Sequence, residues 1–429
     1  MKVAAEGTRL TAVDRAAAAK APAPAPERMA GLAAILDYVR AHGSTTRTEL
    51  ASATGLSRAV VVQRVSELVE RGLLESGEIG PSTGGRAPRT VRFRSSAGHL
   101  LVADLGATSI DVAVVDLSSA VLAHASEPAD IAAGPDVVLG RVEEMLEECL
   151  AEADELPGSL LGIGIGVPGP VEFESGRPVA PPIMPGWDQY DVRGHFASYA
   201  VPVWVDNDVN VMALAEIRAG VARGHENVVF IKIGTGIGAG IVVRGLLHRG
   251  AQGCAGDVGH IQVTDDQSVV CRCGNVGCLE ALAGGAALAR EGEALARHGR
   301  SPHLAKVLEE EGAVEATDVA VAASHGDAAS IELITNAGRL VGSTLAGIVN
   351  FFNPSLVVIG GGVAGSGDLL LATIRESVYR RSLPLATRDL LITRSSLRDL
   401  AGVTGAAAMV TDELFAPPRL VHRLAGSER

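Results

Sequence analysis

GTGIGAGIVVRGLLHRGAQGCAGDVGHIQVTDDQSVVCRCGNVGCLE, from Gly234 to Glu280, is the stretch on which the reading of this chain turns. It opens on a glycine turn and closes on a cluster of cysteines. Cys271, Cys273 and Cys278, three of the chain's five cysteines, fall within eight residues, and ten residues separate His260 from Cys271. One imidazole and three thiolates form a complete tetrahedral set for Zn2+, and four protein ligands close such a site, so a structural zinc is expected. A Cys271–Cys273 disulfide would be strained by its single intervening residue, and nothing at the N-terminus marks the chain for an oxidising compartment. Three unrelated buried thiols are the other alternative.

At 429 residues the chain is long enough for two or three domains. Apolar residues make up 47% but aromatics only 3%, so the cores must be built from Ala, Val, Leu and Ile. No apolar run approaches the roughly 18 residues of a membrane span, and the start lacks the apolar core of a signal peptide, which predicts a cytoplasmic protein with no membrane partner. Residues 1–98 carry 14 Lys+Arg against 9 Asp+Glu, a balance of +5, while the whole chain carries −13 and the other 331 residues therefore −18. A basic head on an acidic body points to a polyanion partner for the head alone.

Residues 1–27 are Ala-rich and end in an alternating Ala-Pro run, a composition expected to stay disordered. From residue 28 to about 96 the pattern is that of a winged helix-turn-helix domain. Leu32, Ile35, Leu36 and Val39 have helical spacing; Thr46 caps a second helix with Leu50 inward; Gly55 makes a sharp turn; and Ser57 caps a third helix with Val61, Val65, Leu68 and Val69 as its buried stripe. Two strands, Leu73–Ser76 and Thr90–Arg94, would flank a Gly- and Ser-rich tip carrying Arg86 and Arg89. The third helix enters the major groove in such domains, which makes Ser57, Arg58, Gln63 and Arg64 the expected contacts to double-stranded DNA, with Arg86 and Arg89 on the wing. A small helical cap with solvated arginines is the alternative.

The body reads as α/β. An apolar strand runs into Asp104-Leu-Gly106-Ala-Thr108, and 130 residues after Asp104 another runs into Gly234-Thr235-Gly236-Ile-Gly238. Such turns let backbone N–H groups approach a phosphate with no Cβ in the way, although each alone is equally a tight hairpin. Two of like design predict a duplicated, two-lobed body with a cleft, and a third glycine turn follows at Gly360–Gly365, including Gly361 and Gly362. The strand Val201–Val205 ends in Asp206-Asn-Asp-Val-Asn210, where Asp208 is placed to act as a general base and Asn207 to hold a hydroxyl; helix capping is the plainer role for Asp206 or Asn207.

Gly253-Cys-Ala-Gly-Asp-Val-Gly-His260 together with Cys271-Arg-Cys-Gly-Asn-Val-Gly-Cys-Leu-Glu280 resembles the ROK family of repressors, open reading frames and sugar kinases, and the resemblance extends over about 30–415. It implies a two-lobed actin-like ATPase fold. Lobe 1 would span 97–215 plus a C-terminal helix near 400–415, and lobe 2 would span 216–399. It implies zinc on His260, Cys271, Cys273 and Cys278, and sugar on Asn207, Asp208, Asp257, His260 and Glu280. Should kinase activity be retained, ATP and Mg2+ would use the turns holding Asp104, Gly106, Thr108, Thr235, Gly236 and Gly238, with adenosine near Gly361 and Gly362 and Asp208 as base. Family members with a DNA-binding head are regulators, so the resemblance implies a homodimeric or homotetrameric repressor controlled by a sugar; the alternative is an ATP-dependent sugar kinase. Three positions depart from the kinase pattern: Ala107 replaces a glycine, Asp257 a glutamate, and Ile183 a sugar-contacting asparagine.

Overall fold

The computed structural model describes residues 26–79, 89–153, 155–365 and 367–420. The chain forms two compact units: Arg94–Leu414 is one, and the residues up to Phe93 together with those from Phe415 are the other.

The smaller unit begins with α1 (Pro26–His42), β1 (Thr45–Thr46), α2 (Arg47–Thr54) and α3 (Arg58–Glu70), and then forms β2 (Leu74–Ile79) and β3 (Arg89–Phe93). Local chemistry sets each boundary. Thr46 accepts from the Glu49 N–H at 3.2 Å while the Glu49 carboxylate accepts from the Thr46 N–H at 2.7 Å, a reciprocal capping box. Gly55 ends α2 at φ 69°, a left-handed conformation that glycine adopts without strain. Ser57 then caps α3. Leu32, Ile35, Leu36, Val39, Leu50, Val61, Val65 and Leu68 are fully buried together. Val69, expected in that stripe, is instead 37% exposed, because Leu68 takes the inward position at the end of the helix.

The strands pair antiparallel in the order β1-β3-β2, with Leu74 opposite Phe93. The N-terminal tail and the wing tip, including Arg86, lie outside the described residues. The chain returns to this unit at its end, which the sequence did not disclose: the Phe415 ring meets Phe93 edge-on at 5.6 Å and lies under the Arg40 guanidinium at 5.4 Å.

The larger unit contains two five-stranded sheets of one design. The first comprises β4 (Gly98–Leu105), β5 (Ser109–Asp116), β6 (Val121–Pro128), β7 (Ser159–Val167) and β10 (Val203–Asn207), in the order β10-β7-β4-β5-β6; a hairpin, β8 (Val171–Glu172) with β9 (Arg177–Pro178), lies between β7 and β10 in sequence. The second comprises β11 (Val228–Ile233), β12 (Ile237–Val243), β13 (Leu246–Leu247), β14 (Leu356–Gly360) and β15 (Leu391–Arg394), in the order β13-β12-β11-β14-β15. In each sheet three strands meander antiparallel and two more join in parallel. This is the duplication expected from the paired glycine turns.

Helix α4 (Pro135–Glu152) covers the first sheet with Leu139, Val142, Leu146 and Cys149 buried in one core. The long α11 (Ala328–Phe352) supplies Val341, Leu345 and Val349 to the core on the second sheet. Helix α6 (Asp208–Arg218) follows β10, yet Val209 and Ala213 pack into a core with Val228, Phe230 and Val358 of the second sheet. The expected lobe boundary at 215/216 falls inside this helix, whose Val211 lies against Gly166 of the first sheet and Gly405 of the final helix. The final helix, Ala401–Phe415, lies against the first sheet, where Val410 and the Ala406 carbonyl fill the space that Gly164 leaves open.

Thr46→Ala removes half of the capping box at a cost of about 1 kcal/mol. The expected result is amide exchange across residues 47–54 faster by about fivefold, the factor that such a loss gives a local opening equilibrium.

Candidate functional site

A cleft of about 590 Å³ opens in the larger unit, with Ala107, Ile183, Asn207 and Asp208 on one wall and Thr235, Gly236, Asp257, His260 and Glu280 on the other. The five residues expected to hold a sugar all line it. Thr235, Gly236 and Gly238 of the second turn line it too, whereas Asp104, Gly106, Thr108, Gly361 and Gly362 do not.

The first wall is organised by the start of α6. Asn207 is its N-cap: the side-chain oxygen accepts from Val209 N–H at 3.0 Å and Asn210 N–H at 3.3 Å, and its amide nitrogen donates to the Gly169 carbonyl at 3.0 Å. Asp206 does not cap the helix. It is buried, accepts from Asn210 at 2.9 Å and pairs with Arg249 at 2.7 Å, whose guanidinium lies 3.7 Å from the centre of the Phe173 ring. Asp208, 4% exposed, uses one oxygen to accept from Val209 N–H at 2.8 Å and the other to pair with the Lys232 ammonium at 2.5 Å.

The second wall depends on missing side chains. Glu280 stands in the first turn of α7 (Leu279–Ala283), and its carboxylate accepts from Ile237 N–H at 3.1 Å. A Cβ on Gly236 would overlap that carboxylate. Gly256 has φ 104° and its backbone presses on the Ala239 carbonyl, which brings Asp257 to the cleft edge.

Beside this wall, the ligand atoms of His260, Cys271, Cys273 and Cys278 all lie within 4.8 Å of one another. Tetrahedral zinc, with Zn–S about 2.3 Å and Zn–N about 2.0 Å, sets sulfur–sulfur edges near ~3.8 Å and sulfur–nitrogen edges near ~3.5 Å. The Cys273 and Cys278 sulfurs are 3.8 Å apart, and the Cys271 sulfur is 3.6 Å from His260 Nδ1, so the four residues fit such an ion. Without a cation, burial and the neighbouring thiols push Cys278 up to about 12. The other ring nitrogen of His260, Nε2, is 3.8 Å from the Asp257 carboxylate, so one imidazole serves the cluster and the cleft at once.

The turn at Asp104 is a closed hairpin, in which Gly106 N–H donates to the Ser109 carbonyl at 2.8 Å and Thr108 is exposed. Asp104 is 7% exposed and wedged against Gly402 and Gly166, with its Oδ1 lacking a partner. Burial pushes its carboxyl up to about 7 against the pull of Lys232, and the charges of Asp208 and Asp111 push the same way as burial. Gly361 sits at φ 92° against the Ile233 carbonyl, behind the second turn.

Lys232 escaped the sequence reading. Burial opposes its charge, but Asp208 and Asp104 outweigh that and hold its ammonium above the ordinary lysine range. The available signal was one lysine inside the apolar run Val228–Ile233, since a lysine on a packed strand has to find an anion.

In the smaller unit, Ser57, Arg58, Gln63 and Arg89 are exposed. Arg64 is folded back, its side chain 15% exposed and 3.8 Å from Glu67, which also pairs with Arg28. Val62, on the outer face of α3, is 49% exposed.

Comparison with known proteins bears on these sites. The ROK family model matches residues 101–413 and the MarR family model residues 33–82. The xylose repressor of Caldicellulosiruptor bescii is 31% identical over 374 residues, covering 87% of this chain and 93% of that protein. The glucokinase of Halalkalibacterium halodurans is 31% identical over 312 residues, 72% of this chain and 94% of that protein. The crystal structure of a ROK family transcriptional regulator, described as a homolog of the E. coli MLC protein, superimposes with a TM-score of 0.78 at 26% identity, covering 94% of this chain and all of that one.

Because the Asp104 carboxyl is raised to about 7 from an ordinary 3.8, the folded body binds this proton more tightly than the unfolded chain does. Stability is therefore lost as pH rises from the unfolded value through the folded one. Asp104→Asn cannot ionise, so the thermal midpoint of the variant relative to wild type should rise between pH 5 and pH 8. A relative gain of about 2 °C or more by calorimetry is expected, the shift that about 1 kcal/mol gives in a body of this size.

Proposed function

This chain belongs to the ROK family, and from that premise we propose that it is a DNA-binding transcriptional regulator, a repressor of carbohydrate-related genes controlled by a sugar or sugar derivative in the cleft. The observation that carries this reading is the presence in one chain of a capped helix-turn-helix with an exposed α3 face and of a cleft lined by Asn207, Asp208, Asp257, His260 and Glu280. Three carboxylates and an imidazole suit a polyhydroxylated ligand, because its hydroxyls can donate to the carboxylates and accept from the His260 ring N–H.

On DNA, Ser57, Arg58 and Gln63 would face base edges and phosphates, with Arg89 of β3 beside them, and the methyl groups of Val62 suit a thymine. Arg64 serves by bracing α3 through Glu67. Two copies related by a two-fold axis would read half-sites about one helical turn apart. Such a protein works in the cytoplasm, and among the described residues no helix is long and apolar enough to cross a membrane.

Zinc on His260, Cys271, Cys273 and Cys278 would be structural, its role to pin the loop that carries His260 beside Glu280. The full-length protein is then expected to retain one zinc per chain by elemental analysis. Cys278→Ser should lose the metal and lower the thermal midpoint; a metal-free wild type of full stability would refute the assignment.

Kinase activity is the second reading, favoured by the presence of Asp208 in the cleft and by the glucokinase relative. To separate the two, genomic fragments are selected with the full-length protein at moderate salt. Specific recovery is expected, with Arg58→Ala weakening the recovered complex about tenfold or more and flattening its salt dependence by about one unit of slope. Retention no stronger than that of random duplex would sink the regulator reading.

A further inference from the structure

Strand β11 alternates Val229, Ile231 and Ile233 into one core, which leaves Lys232 on the opposite side of the pleat, at the cleft. Its ammonium lies 2.5 Å from Asp208 Oδ2, with only 18% of the lysine side chain and 6% of the aspartate side chain exposed. The other Asp208 oxygen already accepts from Val209 N–H. Asp104, the second buried carboxylate nearby, acts on the same ammonium. Asp208, the acid at this end of the cleft best placed to receive a proton or a divalent cation, therefore faces a resident positive charge, while Asp104 lies behind it, outside the cleft lining.

We propose that Lys232 is a charge lock on Asp208, which keeps the carboxylate as an acceptor for a sugar hydroxyl and bars it from acting as a base, so that bound sugar leaves the cleft unphosphorylated. The proposal rests on the reading of the cleft as a sugar site. In transfer from ATP, the hydroxyl oxygen bonds to the γ-phosphorus as the bond to the ADP oxygen breaks, and the hydroxyl proton passes to the carboxylate. Protonating Asp208 would dissolve its ion pair and leave a buried ammonium short of its closest counter-charge, which is the costly way to break such a pair. Hydrogen-bond acceptance costs nothing of the kind, because each carboxylate oxygen has a second lone pair to offer. A hydrated Mg2+ is disfavoured for the same reason, since it relies on free carboxylates and would meet an ammonium already among them. Lys232 is thus a positioning residue for the ligand and a barrier to chemistry on it.

The test uses full-length wild type, Lys232→Met, Lys232→Gln, Asp208→Asn and the Lys232→Met/Asp208→Asn double variant, each incubated with Mg-ATP and xylose, glucose or N-acetylglucosamine. Sugar-dependent ADP release is the readout. Wild type should be no faster than Asp208→Asn. Lys232→Met should exceed wild type by about 100-fold or more with one of the sugars, the lower bound of what a general base contributes, and the double variant should lose that gain. Lysine loss acting only on structure cannot create such an activity. If Lys232→Met does not fold, Lys232→Gln, which keeps a polar tip, takes its place. Wild-type turnover that disappears in Asp208→Asn would overturn the proposal, as would folded lysine variants no faster than wild type. Retention of genomic fragments by the same preparations reports separately on the regulator reading.

Discussion

The architecture of the larger unit depends on one strand that presents bare backbone. Gly236, Gly238 and Gly240 of the second turn and of β12 leave space that is taken by the Glu280 carboxylate, by Val209 and by Ala213 respectively. Helix α6 and the start of α7 therefore lie directly on the strand. Asp208 and Glu280, 72 positions apart in the chain, reach one cleft as a result. From the other side Gly256 and Gly259 press their own backbones onto the Ala239 and Ile237 carbonyls, which sets Asp257 and His260 at the same edge. Side chains on this strand would force these elements outward, and close-packed interiors have no slack to absorb that.

The histidine ties this wall to the cysteine cluster. With Nδ1 beside the Cys271 sulfur and Nε2 toward Asp257, the ring transmits the position of the cysteine loop into the cleft. Because one ring faces both, with Nε2 3.8 Å from the Asp257 carboxylate, the geometry of the cluster and that of the cleft wall are coupled.

Features encoded within a few residues were legible from the sequence. Thr46, Gly55 and Ser57 bound their helices as expected, and the Cys271, Cys273, Cys278 spacing does gather with His260. The like turns at Asp104 and Gly234 correctly announced two sheets of one design. What stayed hidden depends on pairings made only when sheets assemble. Lys232 finds Asp208 across two elements, and the buried Glu216 accepts from Ser395 at 2.5 Å, 179 positions away. Asp104 looked like part of a phosphate turn because strand-end aspartates are ordinarily reachable, yet here the close approach of Gly402 covers it. Val69 shows the limit of periodicity at a helix end, where Leu68 alone takes the inward position of the last turn.

A head that grips DNA and a body that grips a sugar constitute a regulator only if the two affinities are linked. Linkage is reciprocal: a sugar that changes operator affinity by some factor must have its own affinity changed by that factor when operator is bound. Calorimetric titration of the full-length protein with its effector sugar, with and without saturating operator duplex, tests this most directly. The account predicts two sugar affinities whose ratio equals the ratio of operator affinities measured with and without sugar. Identical sugar affinities in the two titrations would contradict it, leaving two binding activities that share a chain without communicating.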